Sequence, residues 1–403
     1  MNFEDSNMVF SGIFRRMNHA ADPMSSVPQI REVKSGNDLA IYIKLPAILN
    51  RNYPAFVPPL WRDEFHFHNP LKNRNLESCE VIRFLAFLNG EVVGRIMGII
   101  HHNWNETHGN ATARFYQPEF IDDYNVSSSL VQAVSKWAHG KGMNLLIGSF
   151  GLSDKDPQGI QIEGFHLDPV IASVSHQPYI ARHFEAMGFE KFKDCVSYVI
   201  PIPDQIPDVY RAIYNRIVSK HGFKLLEFKS RKELKPFFKP VMELMNDAYS
   251  HIYGFVPLTE TDIQELADQY LNVLDPRLVK VAVDQNNIPV SFVIAMGNIS
   301  AGFRKAKGKL FPTGWFHLLQ AMKNSRQLDL LLGAVNSRHR GKGLNVMMGV
   351  ALMESARQLG MKTLDSHLIL EENLLMRAEL EKLGGKIMKR YRIFQKEIDV
   401  IKL

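Results

Sequence analysis

The chain has 403 residues, enough for two or three domains with a core each. It is 45% hydrophobic and 22% charged with a net charge of +6, which excludes a disordered or collagen-like chain and leaves a mild bias toward anionic partners. Its two cysteines, Cys79 and Cys195, lack metal-ligand spacing, which argues against a disulfide scaffold or a zinc site and predicts a reducing compartment.

Residues 1–28 are mixed and polar with no apolar targeting segment, so they are expected to be disordered. No apolar run approaches the roughly 20 residues of a spanning helix. The expected location is the cytoplasm, with peripheral contact at the inner membrane left open.

The first half is predicted to begin with a short strand at Ile30–Lys34 and a helix at Asp38–Leu49. An aromatic, proline-rich stretch, Phe56-Val57-Pro58-Pro59-Leu60, comes next. Val81–Leu88 and Val92–Ile100 flank Asn89-Gly90, a strong hairpin signal. The second half repeats the order: strand Lys224–Phe228, helix Glu233–Ile252, Phe255-Val256-Pro257-Leu258, then a hairpin at Leu278–Val283 and Val290–Met296. Each half has a later helix ending in Gly-Met (Gly142-Met143, Gly360-Met361) and a last helix with a matched tail (Phe184–Gly188, Leu380–Gly384). Four matches in one order predict a duplicated α/β domain, 29–203 and 204–403, divided at the stiff linker Pro201–Pro207. A helix at Asp208–His221 is expected to bridge into the second half.

The halves diverge at one place. In the second, the apolar strand Leu328–Val335 runs into Asn336-Ser337-Arg338-His339-Arg340-Gly341-Lys342-Gly343-Leu344 and then an amphipathic helix. Turn and helix-start N–H groups converge there and favour an anion, two glycines allow close approach, and Arg338, Arg340 and Lys342 add charge. The corresponding stretch of the first half, Phe120–Asn125, has Asp122 and Asp123 and no glycine, so it would repel a pyrophosphate. A P-loop would need an earlier glycine and a Ser/Thr after Lys342; a dinucleotide fingerprint would need glycine at Val346, and the tail is too short for that fold.

The order strand, Arg338-x-x-Gly341-x-Gly343, helix, strand, Glu372-Asn373, helix and final strands resembles the GNAT acyltransferase superfamily. The resemblance implies an α/β (α+β) fold of two tandem GNAT-like domains, each a mixed, mostly antiparallel sheet flanked by helices. It implies acyl-coenzyme A as co-substrate, with no metal. The pyrophosphate would lie on Arg338, His339, Arg340, Gly341, Lys342, Gly343 and Leu344, the thioester carbonyl at the strand end Ala334-Val335, and the pantetheine beside Asn373. The family often has a tyrosine in the last helix to protonate the departing thiolate; Leu380 stands there, and Tyr391 on the following strand is the substitute considered.

Asn52–Leu60, Val93-Gly94-Arg95-Ile96, Glu163-Gly164-Phe165 and His176-Gln177-Pro178-Tyr179 resemble a narrower group, the GNAT-like bacterial ceramide synthases. That resemblance implies transfer of a fatty acyl group to the amine of a long-chain sphingoid base. Between Ala301 and Lys323, Phe303, Phe311, Trp315 and Phe316 alternate with Arg304, Lys305, Lys307 and Lys309. This suits an acyl channel or a segment on anionic lipid, and equally an ordinary amphipathic helix.

N-acylation needs a group that takes a proton from the incoming ammonium. The long loop 148–166 offers Asp154 and His166 to bind the acceptor and Glu163 as base; the strand beside the cradle offers Asp365 and His367. Alternation would put the last two on one face. A short-chain acetyltransferase and a non-catalytic acyl-CoA-binding protein are the rival readings. No groove-reading motif points to nucleic acid.

Overall fold

A computed structural model describes residues 27–171, 173–250 and 255–398. Most of the segment expected to be disordered, and the last two residues expected of helix 233–252, lie outside the described residues.

The strands are β1 (Gln29–Glu32), β2 (Cys79–Leu88), β3 (Glu91–His101), β4 (Thr112–Phe120), β5 (Leu145–Gly148), β6 (Ile160–Glu163) and β7 (Glu190–Pro201) in the first half. The second half has β8 (Lys224–Glu227), β9 (Val279–Val283), β10 (Pro289–Gly297), β11 (Gln327–Val335), β12 (Thr363–Asp365), β13 (Ile369–Leu370) and β14 (Lys386–Glu397). Local chemistry sets many of the boundaries. Asn89 and Gly90 both have positive φ, as the tight turn between β2 and β3 requires. Ser35 and Asp38 form a reciprocal capping box on helix Gly36–Leu49, and Thr259 and Asp262 do the same for Glu260–Tyr270.

All fourteen strands belong to one sheet in the order β1-β2-β3-β4-β5-β14-β7-β12-β11-β10-β9-β8, with β6 on β14 and β13 on β7. The two expected sheets are thus joined edge to edge, and the halves exchange their last strands. β14 pairs with β5 of the first half (Phe394 opposite Gly148), while β7 pairs with β12 of the second (Ile200 opposite Leu364). The cores follow the exchange. Phe394 and Ile398 pack with Phe115, Leu130 and Phe184, and Val196, Tyr198 and Ile200 pack with Leu328, Met347 and Leu352.

Each half opens a gap in its sheet at the same place. β4 pairs in parallel with β5 only over Thr112–Phe115, and β11 with β12 only over Gln327–Asp329. Beyond those residues the strands part, and their free backbone edges face the gaps.

Candidate active site

The cradle begins where β11 ends. The N–H of Asn336 donates back to Val290 on β10 (2.8 Å), and its side chain accepts from the N–H of Arg338 (3.0 Å), which starts the turn. Gly341 (φ 76°) and Gly343 (φ 82°) are left-handed, which bends the chain into helix Leu344–Gln358. The helix start has no side-chain cap, and among the described residues the N–H groups of Gly341, Gly343, Leu344 and Asn345 have no backbone acceptor. Four N–H groups without a backbone acceptor and a helix N-terminus therefore lie together in this turn.

Side chains complete it. Arg338, Arg340 and Lys342 are exposed. Lys342 Nζ lies 3.1 Å from His339 Nδ1 and over the Phe223 ring, and burial together with Lys342 lowers the His339 pKa. A Cβ on Gly341 would meet nothing within 4 Å, whereas one on Gly343 would lie 2.8 Å from Ile217 Cδ1. The bridging helix Asp208–His221 thus supports the turn from below.

The first half closes the equivalent position. Asp123 caps helix Tyr124–Gly140 by accepting from the N–H groups of Asn125 (2.8 Å) and Val126 (3.2 Å). Asp122 accepts from or pairs with His183 Nε2 at 2.9 Å. A carboxylate already occupies the donors that an external anion would use.

Beyond the cradle, β11 runs along its gap. Its register on β10 slips by one residue at Leu331. Ser291 Oγ donates to the Ala334 carbonyl on the β10 side, and the Asn336 N–H also points that way, so alternation turns the Val335 N–H into the gap. Gly333 faces the gap too. Its N–H donates to the Tyr249 hydroxyl (3.3 Å), which in turn donates to the Gly333 carbonyl (2.9 Å). Burial raises the Tyr249 pKa, so the phenol keeps its proton. Tyr249 stacks edge-on with Phe255, and the Val256 N–H donates to Asp154 Oδ1 at 3.2 Å. Asp154, half-buried, has its pKa raised by burial. Sequence reasoning missed Tyr249 because nothing in helix Arg231–Tyr249 marks its last residue.

The other expected residues fall into separate places. Asp365 is buried at the foot of the gap, where Lys389 Nζ binds it at 2.6 Å and also donates to the Asp168 carbonyl. Beside it Asp329 is held by Asn298 and Gln327, and burial next to Asp365 raises its pKa to about 7. His367 does not share a face with Asp365 through strand alternation, because it has left-handed backbone (φ 60°) after β12 has ended. Burial lowers its pKa to about 4 and keeps the ring neutral. Tyr391 is buried in the sheet, donates to the Val174 carbonyl (3.1 Å) and has a raised pKa. Glu163 is exposed and pairs with Arg390 (3.3 Å), and His166 is exposed on the same loop. Asn373 accepts from the Met376 N–H and caps the last helix. Phe311 and Trp315 are on the surface.

A cleft of about 1230 Å³ runs from the first half's gap to the second half. Phe56, Val57, Pro58, Pro59 and Phe67 form one wall, Val170, Ile171 and Val174 another, and Val256–Leu258 the end toward Tyr249. Of the carboxyls that line it, Glu64, Glu119 and Asp156 have pKa values raised by burial, those of Glu119 and Asp156 to about 7 and about 6. Near Glu64, Tyr42 Oη, His68 Nε2, Arg95 Nε and Gln117 Oε1 have no hydrogen-bond partner among the described residues. Buried polar atoms are usually paired, and these four are exceptions.

No family model matches the chain. It is 29% identical over 375 residues to a bacterial ceramide synthase from Caulobacter vibrioides, covering 91% of this chain and 96% of that one. It is 26% identical over 376 residues to protein YghO of Escherichia coli, covering 92% and 95%. A tandem GNAT protein from the clavulanic acid biosynthesis pathway superposes over 92% of this chain and 99% of its own, with a TM-score of 0.53 at 14% identity. The chain has a tandem GNAT fold. The protein has no helix, among the described residues, long and apolar enough to cross a membrane.

Proposed function

We propose that the chain transfers a fatty acyl group from acyl-coenzyme A to the amine of a long-chain sphingoid base. The observation that carries this reading is the uncapped glycine turn feeding directly into the gap beside β11, set against a first-half turn blocked by Asp123. A coenzyme A pyrophosphate suits the N–H groups of Gly341, Gly343, Leu344 and Asn345, and the arm behind it suits the gap, ending near Gly333.

The chemistry then follows from the groups that face the gap. The Val335 N–H, turned into the gap, stabilises the charge that develops on the thioester oxygen. Asp154, its pKa raised by burial, takes a proton from the bound ammonium and leaves a neutral amine to attack. The C–N bond forms, the C–S bond breaks, and Tyr249 gives its proton to the departing sulfur, the task for which Leu380 has no group; the second proton that the nitrogen sheds as it becomes an amide restores the phenol. The cleft supports the acceptor assignment. Its volume exceeds the roughly 300–1000 Å³ of ordinary small-ligand pockets, and it joins apolar walls to carboxyls. The relative named a ceramide synthase supports the same choice.

Incubation with sphinganine and acyl-CoAs of increasing chain length, read by mass spectrometry, tests the reading. A long-chain amide is expected, at a higher rate than acetylation. Acetylation alone would assign a short-chain acetyltransferase, and absence of any amide would remove the sphingoid proposal.

A further inference from the structure

We propose that the helical hairpin 300–324 docks the protein on an anionic lipid bilayer through its outer face. Two helices, Ser300–Ala306 and Gly314–Asn324, make this hairpin between β10 and β11. They touch at Gly302, where a Cβ would lie 2.7 Å from the His317 carbonyl oxygen, so the pair is closely packed.

Its outer side is apolar where a water-facing helix would be polar. Phe311 is 71% exposed, Phe316 53%, Trp315 46% and Leu319 45%. They fall within nine residues of chain, and Trp315, Phe316 and Leu319 are neighbours on one helix face. Exposed apolar residues scattered singly need no explanation, but a contiguous aromatic cluster does.

Charge decides the occupant. Residues 300–324 contain Arg304, Lys305, Lys307, Lys309 and Lys323 and no Asp or Glu. Arg304 is engaged in a bidentate pair with Asp168 (2.6 and 2.7 Å), which fixes the hairpin to the first half. Lys305, Lys307, Lys309 and Lys323 are exposed around the aromatics. Lysines bordering Trp, Phe and Leu match a bilayer whose phosphates surround acyl chains, with the rings at the interface and the ammonium groups at headgroup level. Neither helix is long enough to span, so the contact is peripheral.

The hairpin's other side lies on the cleft, where Ser300 and Phe303 form part of the lining. One thin element therefore separates the cleft from the docking surface. The proposal holds whatever the acceptor is, and it can fail without touching the acyl-transfer reading.

Vesicle co-sedimentation of the full chain tests it, with phosphatidylglycerol-containing vesicles against pure phosphatidylcholine. Binding to the anionic vesicles is expected to be stronger by at least about tenfold, and to fall as salt rises. The double variant Trp315→Glu, Phe316→Glu is expected to lose at least about tenfold in vesicle affinity. Both positions are exposed, and an unchanged thermal melt and coenzyme A affinity verify that the fold survives. Equal binding to both vesicle types, no binding, or full binding by the variant would overturn the proposal. So would a salt-resistant dimer that the variant dissolves, which would make this face a contact between copies of the chain.

Discussion

Gly343 has a left-handed backbone and no room for a side chain, because Ile217 lies beneath it; Gly341 has the same backbone over open space. Gly343→Ala is expected to cost about 1–2 kcal/mol in backbone strain with a further loss from the clash, and Gly341→Ala the strain alone. Urea denaturation of the two variants reads the difference directly. Tyr249 carries the other residue-scale prediction. Tyr249→Phe should lower kcat by about 100-fold or more while coenzyme A binds as before, since the proton donor is removed and the turn that binds the pyrophosphate is untouched. Steady-state rates beside a binding titration check this; an unchanged kcat would return the general acid to another group. A third prediction concerns pH. Burial lowers the pKa of His176 to about 4, so the unfolded chain takes up that proton first, near 6.5. Stability from this group is full above pH 6.5 and is lost as pH falls toward 4. His176→Asn should flatten the stability profile in that window by at most about 1.4 kcal/mol per pH unit, measured by denaturant midpoints. Glu119 and Asp329, with raised pKa values, act in the opposite direction, so the slope difference between variant and wild type is the informative quantity.

At the scale of elements, the foot of the second gap depends on a buried ion pair drawn from two strands. Lys389 of β14 reaches Asp365 at the end of β12, across Ser197 of β7, which also donates to Asp365. Lys389→Met leaves that carboxylate buried and unpaired, and should cost about 3–5 kcal/mol; Lys389→Met with Asp365→Asn should recover much of it. Chemical denaturation of both variants supplies the comparison. This pair also shows where the sequence stopped being informative. The glycine turn was legible because its requirements are local: two residues of positive φ, a helix start and nearby cations. The hairpin at Asn89-Gly90 was legible for the same reason. Asp365 read as a candidate base because its partner lies 24 residues further along the chain on a strand whose neighbours no local pattern reveals. Tyr249 was invisible for a related reason. A tyrosine at a helix end reads as packing until tertiary structure places its hydroxyl on the backbone of Gly333.

At the scale of the whole molecule, duplication made the exchange of last strands unreadable. Two similar halves present similar edges, so β7 and β14 satisfy the hydrophobic pattern of either. The exchange couples the cores: a fragment ending at residue 203 would lack Phe394 and Ile398, and its complement would lack Val196, Tyr198 and Ile200. Neither half is expected to fold alone, and the intact chain should unfold in one cooperative step. Circular dichroism of the separated and co-expressed halves checks this, with structure recovered only on co-expression. The same coupling gives the two gaps different tasks within one sheet. The first half's turn is closed by its own Asp123, and its gap opens into the large cleft. The second half's turn keeps its donors free. Calorimetric titration with coenzyme A is the most direct test of that division. The account predicts one molecule bound per chain, lost in Gly341→Asp and retained in Asp123→Gly; two equivalent sites, or full affinity in Gly341→Asp, would contradict it.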